Sequence, residues 1–438
     1  MKKFLEICAG IDVSKREIAV TILKGPSEAE PAAATRTFGT TTSALEECLA
    51  WLQADAVATV VMESTGSYWT PVWNVLSEKV AVIVANPDHV KARRGEKTDP
   101  MDSRRLAERL RVGDIRGSFI PTPATVRLRD LTRRRKKLLS AAGSERNRIQ
   151  KLLEQGNVKV GNVISDVFGL SGQRILDALL NHPSQTSAEM AELALGTLRK
   201  KMDRIRETLE GHRLDDHLRY MIQKSLDHLV FLEGEMKELG QKIAEAIKPQ
   251  EREYELLQTI PGISAETAAV ILAETGGNMA QFPSDKHLTS WAGVCPGNNR
   301  SAGKQKSASI KRGNRWLLSG LVQASWGAVR KRGSIFKKRF YRISQHRGRK
   351  RAVIAAARSL LAVVWHVLSR MTPYVEAPNE EMQRREVSKK VLHHLRRLRA
   401  LGVNLASVEL PPSLMTAEVP ATLKPRPRAI GVLGIHAR

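Results

Sequence analysis

Acidic residues, cysteines and long apolar runs are all scarce in this chain, and each shortage closes off a class of protein. Only 45 aspartates and glutamates stand against 71 lysines and arginines, a formal charge of +26. Solubility does not require such an excess. A polyanionic partner does, because neutralising phosphates releases condensed counterions. The three cysteines, Cys8, Cys48 and Cys295, show no CxxC spacing, which excludes a disulfide framework and a cysteine zinc site. No stretch approaches 18 uninterrupted apolar residues, and the opening MKKFLEICAGIDVSKREIAV meets Glu6 and Asp12 before any sustained apolar run. Neither a signal peptide nor a membrane span is expected, and the chain reads as cytoplasmic with no membrane partner. Its 438 residues exceed what one hydrophobic core ordinarily organises, so two or three folded units are expected.

What is present begins with period-two alternation. Ile7, Ala9, Ile11 and Val13 predict a strand, and Ile18, Val20 and Ile22 a second one after the polar turn Ser14-Lys15-Arg16-Glu17. A third is expected around Arg36-Thr37-Phe38. Thr42 or Ser43 can cap a helix with Leu45, Leu49 and Leu52 on one face. Residues 58–62 read as a buried strand ending at Glu63, and 80–85 as another ending at Asn86-Pro87. This order, three strands and a helix followed by strand, helix, strand and helix, suggests an α/β ribonuclease-H-like fold with parallel strands covered by helices. Pro121-Thr122-Pro123 interrupts regular structure and marks a boundary.

From about 126 to 250 the pattern is helical and highly charged. Leu218, Ile222, Ser225, Leu229, Leu232, Met236, Leu239, Ile243 and Ala246 keep a 4-3-4-3 spacing. That seam fits either a coiled coil between protomers or an antiparallel hairpin with residues 126–154 of the same chain. Near Tyr254 a new, mainly α unit begins. Its opening, Ile260-Pro261-Gly262-Ile263-Ser264 before the apolar run 267–273, resembles a helix-hairpin-helix, in which Gly262 would sit in a turn offering amides to a phosphate. Between Asp285 and Glu376 there is no acid at all, while Lys304, Lys306, Lys311, Arg312, Arg315, Lys337, Lys338 and Arg339 accumulate with other cations. Such a run repels itself unless phosphates are present, so this segment is the expected nucleic-acid contact. Trp316, Trp326, Phe336, Phe340 and Tyr341, interleaved with the charge, are read as core residues. An amphipathic helix is expected over 380–400, and the proline-rich tail after Pro411 is expected to be disordered. The organisation is therefore 1–122, 123–250, 251–372 and 373–438.

Four acids occupy chemically useful places: Asp12 in the first strand, Glu63 at the end of the fourth, and Asp99 and Asp102 in Thr98-Asp99-Pro100-Met101-Asp102. Pro100 disfavours helical backbone at Asp99, making it a natural N-cap, with Asp102 the third helical residue. Carboxylates gathered from strand ends and a helix start can hold two magnesium or manganese ions roughly 3.5–4 Å apart for phosphodiester chemistry. Each acid alone could equally cap a turn or face a helix dipole.

The ordered set Gly10-Ile11-Asp12-Val13-Ser14-Lys15, Glu63-Ser64-Thr65-Gly66, Asn86-Pro87, Lys97-Thr98-Asp99-Pro100-Met101-Asp102, Ile260-Pro261-Gly262-Ile263 and Trp291-Ala292-Gly293-Val294-Cys295-Pro296 resembles the DEDD transposases of the bridge-RNA-guided insertion sequences, over about residues 5–370. The resemblance implies a RuvC-like N-terminal domain, a helical middle and a C-terminal transposase domain with a nucleophilic serine. The matching position is Ser301, in Pro296-Gly297-Asn298-Asn299-Arg300-Ser301-Ala302-Gly303. Ala302 departs from the family's Ser-Gly step, which leaves Ser307 and Ser309 as alternatives. The resemblance further implies donor and target DNA, a structured non-coding guide RNA, a prokaryotic nucleoid setting, and a dimer assembling to a tetramer whose active site is composite between protomers. Without the serine, the same acids would fit a metal-dependent Holliday-junction endonuclease acting by water attack. A non-catalytic scaffold gives no reason for the four acids.

Overall fold

The computed structural model describes residues 4–26, 28–64, 66–85, 99–115, 117–297, 299–301, 304–307, 309–310, 312–376, 391, 393–395, 397–398 and 401–402, with backbone alone at 99–100, 299–301 and 304–307. Asn86-Pro87 and most of the tail, including the expected disorder after Pro411, lie outside the described residues. The chain forms two compact units, residues 1–126 and 127–438.

In the first unit the alternating segments become strands β1 (Ile7–Val13) and β2 (Glu17–Lys24), followed by β3 (Ala32–Gly39), β4 (Thr59–Glu63) and β5 (Ala81–Ala85) in a mixed sheet ordered β3-β2-β1-β4-β5. The first three are antiparallel, whereas β4 and β5 join as parallel strands. Helices α1 (Thr42–Ala54) and α2 (Trp69–Leu76) bury one face against Ile11, Val20, Val60 and Met62. The α1 cap is Thr41, not Thr42 or Ser43: its side chain accepts from Ala44 N, which sets the first turn one residue earlier.

Helix α3 (Asp99–Arg111) covers the opposite face, packing Leu106, Ala107 and Leu110 on Cys8, Leu23 and Val61. It runs antiparallel to β1, since Leu5 N donates to Arg111 O (3.1 Å) at one end while Ser103 lies over Gly10 at the other. The approach is close. A Cβ on Gly10 would stand 2.1 Å from the Ser103 carbonyl oxygen and 2.5 Å from Ala107 N. Thr21 Oγ1 and Ser103 Oγ, 2.7 Å apart, tie the helix to β2, and Arg111 donates to Pro26 O at 2.7 Å. Burial lifts the Cys8 thiol to about 11 and the Cys48 thiol to about 12, so neither supplies a thiolate near neutrality.

The second unit is helical, with one two-stranded hairpin. Helices α4 (Pro123–Gln155) and α8 (Asp216–Ile247) lie antiparallel, Leu138 and Ala142 meeting Leu229 and Leu232, and Ile149 and Leu153 meeting Ile222. The heptad seam is thus filled within the chain at these residues, as in the second of the two readings, the antiparallel hairpin with residues 126–154. Helices α5 (Leu170–Asn181), α6 (Ser187–Glu192) and α7 (Met202–Leu209) cover its far end, with α6 opened by a Thr186/Glu189 capping box.

The remaining helices, α9 (Glu251–Gln258), α10 (Ala265–Thr275), α11 (Asp285–Trp291), α12 (Arg315–Arg330), α13 (Ile335–Arg347) and α14 (Arg349–Arg370), surround a core that includes Ile271, Leu272, Leu321, Phe336 and Leu361. Helix α14 meets the length and composition of a membrane span, with half of its apolar window buried in this core. The sequence reading passed over it because Arg358 interrupts the apolar run.

The Gly10 contact gives the first test. Gly10→Ala should destabilise the N-terminal unit by at least about 1–3 kcal/mol, the usual range for overpacking, because backbone rather than a movable side chain blocks the methyl. Gly143→Ala, where a Cβ meets nothing within 4 Å inside α4, should instead stabilise by about 0.5–1 kcal/mol. Urea unfolding of both variants checks the contrast, and an unperturbed Gly10→Ala would contradict the packing.

Candidate nucleic-acid-processing site

The register of the two central strands brings the first two acids together. β1 and β4 are parallel with Ile11 opposite Met62, so Asp12 and Glu63 come next in line at adjacent carboxyl ends. Ile11 and Met62 face the α1/α2 core, and alternation turns Asp12 and Glu63 to the α3 side. Both are half-buried. The amino end of α3 lies on that side, since Ser103 packs over Gly10, two residues before Asp12. Strand ends and a helix start converge there. In open α/β sheets the carboxyl ends of parallel strands are the usual place for ligands.

Asp99 is the first residue of α3 rather than its cap, making Pro100 the second and Asp102 the fourth; this shift by one turn position follows from helical backbone already at Asp99. Its side chain lies outside the description. Asp102 accepts from Arg105 Nη1 at 3.2 Å, a partly exposed pair one turn along α3. Among the described residues no group of three Asp, Glu, His or Cys side chains is close enough to hold a metal ion. The donor chemistry still suits one: Asp12, Glu63, Asp99 and Asp102 offer only carboxylate oxygens, which match magnesium or manganese and disfavour softer metals.

Ser301 falls at the end of strand β6 (Asn299–Ser301), paired with Lys304 of β7 (Lys304–Ser307). The expected serine loop is therefore a β-hairpin, closed below by Gly297 N donating to Ser309 O (2.9 Å) and by a bridge between Pro296 and Ile310. Lys304 and Lys306 lie on β7, and Ser307 pairs with Asn299. Ser309 lies below the strands, and Lys311 lies outside the described residues.

The cationic residues divide between two places. Arg312 and Arg315 follow the hairpin, with the Arg315 guanidinium 4.9 Å from the centre of the Trp316 ring. Lys337, Lys338 and Arg339 lie on α13. Desolvation, then the charges of Arg342 and Arg358, hold the Arg339 guanidinium below its ordinary value. Burial is the larger cause and the neighbouring cations the smaller. Phe336 and Phe340 are core residues, as expected, whereas Tyr341 is 53% exposed.

Gly262 has a φ of +85°, and a Cβ there would stand 2.1 Å from Ala324 O. Helix crossing therefore demands glycine at this position whatever the turn binds. The sequence reading missed the most buried charge of the unit, Glu274, which is held by Arg129, Arg133 and Asn314. Its partners are 145, 141 and 40 residues away, so no local spacing announces it.

Carboxylates at the ends of parallel strands, joined in one chain to a helical unit rich in cations, suit an enzyme that acts on nucleic acid. Residues 9–157 match a family model for DEDD transposases of the IS110 group, described as "Transposase". Residues 254–341 match one described as "Transposase IS116/IS110/IS902 family". The chain belongs to this IS110/IS116 family of transposases, enzymes that act on DNA. It is 23% identical over 326 residues, covering 72% of this chain and 85% of the relative, to a probable family 20 transposase of Pseudomonas aeruginosa. A transposase for insertion sequence element IS1111A from Coxiella burnetii is 27% identical over 30% of this chain and 36% of its own length. A pilin gene-inverting protein of Moraxella bovis is 32% identical over 27% of this chain and 38% of its own. The matched ranges include Asp12, Glu63, Asp99 and Asp102 in the first and Ser301 in the second.

Two measurements test the residues named above. Neighbouring carboxylates repel until a cation neutralises them, so Asp102→Asn should leave the metal-free protein as stable as the parent or slightly more so, while abolishing magnesium-dependent DNA cleavage and the rise in Tm with magnesium. Full activity of this variant in magnesium would remove Asp102 from the site. Neutralising Lys337, Lys338 and Arg339 together should lower the salt dependence of nucleic-acid binding by up to about 3 units of log–log slope, roughly one per lost phosphate contact. An unchanged slope moves the binding face elsewhere.

Proposed function

We propose that the chain is an RNA-guided DNA recombinase that cuts and rejoins strands through a phosphodiester bond to Ser301. The observation that carries this reading is the arrangement of Asp12 and Glu63 at neighbouring carboxyl ends of β1 and β4 under the amino end of α3, in a chain of transposase family. That arrangement supports a ribonuclease-H-like, RuvC-like catalytic unit. A finer division follows, with 1–122 catalytic, 123–250 helical, 251–372 bearing the serine and 373–438 appended.

In this reading the Ser301 Oγ forms a bond to phosphorus as the bond to a deoxyribose oxygen breaks, and the proton lost by the serine hydroxyl is, in net, the one that the leaving oxygen gains as it departs as a hydroxyl. A second deoxyribose hydroxyl later displaces the serine. The bond energy is conserved, so strands exchange without ATP. Asp12, Glu63, Asp99 and Asp102 would hold divalent magnesium or manganese, which when bound supplies positive charge at the phosphate. The carboxylates orient and neutralise; the cations Lys304, Lys306 and Arg312 offset charge developing on the phosphate oxygens. A relative named for inverting a gene supports rejoining over simple cutting, because an inverted segment must be resealed. Guidance by a structured RNA, and assembly of dimers into a tetramer, rest on the family resemblance together with a charge that suits both nucleic acids.

Quenching the reaction in denaturant should leave protein covalently bound to DNA, with the adduct mapping to Ser301. Ser301→Ala should lose adduct and recombination yet keep nucleic-acid binding, since one neutral hydroxyl contributes only about 0.5–1.5 kcal/mol to a many-contact interface. Normal cleavage by Ser301→Ala, with no adduct in the parent, would establish the water-attacking junction endonuclease instead. An adduct on Ser307 or Ser309 would keep the mechanism and relocate the nucleophile past Ala302.

A further inference from the structure

The hairpin bearing Ser301 and Lys304 has to be held from its base, and the structure shows how its exit is fixed. Immediately after it, Gly313 crosses the α11 turn so closely that a Cβ would lie 2.5 Å from Ala292 O and Gly293 N. The next residue, Asn314, is the N-cap of α12, its Oδ1 accepting from Trp316 N at 3.0 Å and Leu317 N at 3.1 Å. The other end of the same amide donates through Nδ2 to Glu274 Oε2 at 2.6 Å.

Glu274 is the node. Its side chain is 1% exposed, near the end of α10. Arg133 donates to it through both Nε and Nη2, each at 2.8 Å. Arg129 lies 3.4 Å from the same carboxylate and also donates to Glu274 O and Ala273 O. The Arg133 guanidinium stands 5.6 Å from the centre of the Trp316 ring, the second residue of α12. One buried carboxylate thus joins α4, α10 and the start of α12, with its hydrogen bonds directed by two guanidiniums and one amide. Helix α12 needs only an acceptor at its cap, and serine or aspartate would serve as well as asparagine. Only asparagine accepts from the helix with one atom and donates to Glu274 with the other.

Resting on the serine reading above, we propose that Glu274 is a positioning residue for the strand-transfer reaction, acting through Asn314 to fix the exit of the Ser301 hairpin. The carboxylate touches neither DNA nor the reacting atoms in this assignment. It sets where α12 begins, and so where the hairpin leading into it is anchored. A displacement of about 1 Å can cost on the order of a hundredfold in rate, so the link is worth more to chemistry than to stability.

The test separates the cap from the link. Asn314→Asp retains a good N-cap but has no donor for Glu274 and adds a like charge, and Asn314→Ser retains the cap on a side chain one atom shorter, drawing its hydroxyl back from the place of Nδ2. The full-length protein, with magnesium, its own transcript and a supercoiled plasmid carrying the element's ends, is assayed for the Ser301–DNA adduct at saturating protein. Folded fraction is taken from thermal unfolding, and affinity from titration across salt. Both variants should form adduct at least about tenfold more slowly per folded molecule, with affinity and salt slope unchanged. Parental adduct rates per folded molecule in the variants, or losses that only track the folded fraction, would each overturn the assignment and leave Glu274 purely structural. If the parent forms no adduct at all, the serine reading itself fails, a result the variants cannot mimic.

Discussion

Helix α3 can lie against the sheet as it does only because residue 10 is glycine. Any Cβ there would occupy the position of the Ser103 carbonyl, so an alanine would lift the helix from β1 and carry Asp102 away from the strand ends. The contact fixes more than distance. It sets the helix antiparallel to β1, with the carboxyl end held by Leu5 and Arg111 and the amino end over Asp12. The parallel pairing of β1 with β4 then places Glu63 beside Asp12. Three elements far apart in sequence thereby carry acids on one side of the sheet, the donor chemistry that the proposed metal-dependent reaction requires.

In the second unit the corresponding constraint is electrostatic. Glu274 is fully buried, and burying a carboxylate is tolerable only with close, well-directed donors. Arg133 supplies a bidentate pair, while Arg129 and Asn314 complete the shell. Arg133 and Asn314 direct hydrogen bonds to the same carboxylate and Arg129 pairs with it, so the arrangement ties α4, α10 and α12 together more specifically than apolar packing would. The outer surface has the opposite character. From 286 to 375 the sequence carries lysines and arginines and no acid, a composition that suits a polyanionic partner.

Much of the first unit was legible because strand alternation and helix period are local signals. Ile7 to Val13 and Ile18 to Ile22 became β1 and β2, and the order of strands and helices through α3 followed. The α1 cap slipped by one because Thr41, Thr42 and Ser43 are chemically equivalent cap candidates, and only backbone geometry separates them. The heptad seam on α8 was visible, but a heptad states that a stripe is apolar, not whose helix fills it; Leu138 and Ala142 of the same chain do. Asp12, Glu63 and Asp102 could be named from their places at element ends, whereas Glu274 could not, because nothing within a turn of it signals Arg129, Arg133 or Asn314. Gly262 carried a real signal with a second cause, the backbone of α12 at Ala324.

The strand transfer proposed for Ser301 carries a stereochemical signature that no binding or activity measurement shares. Each in-line displacement inverts phosphorus, so a serine ester formed and then displaced by a DNA hydroxyl returns the original configuration, because covalent catalysis divides one displacement into two. With a single phosphorothioate of known configuration at the scissile position, the recombined strand should show retention. Inversion in the rejoined product would mean direct attack of one DNA strand on another and would contradict a serine intermediate.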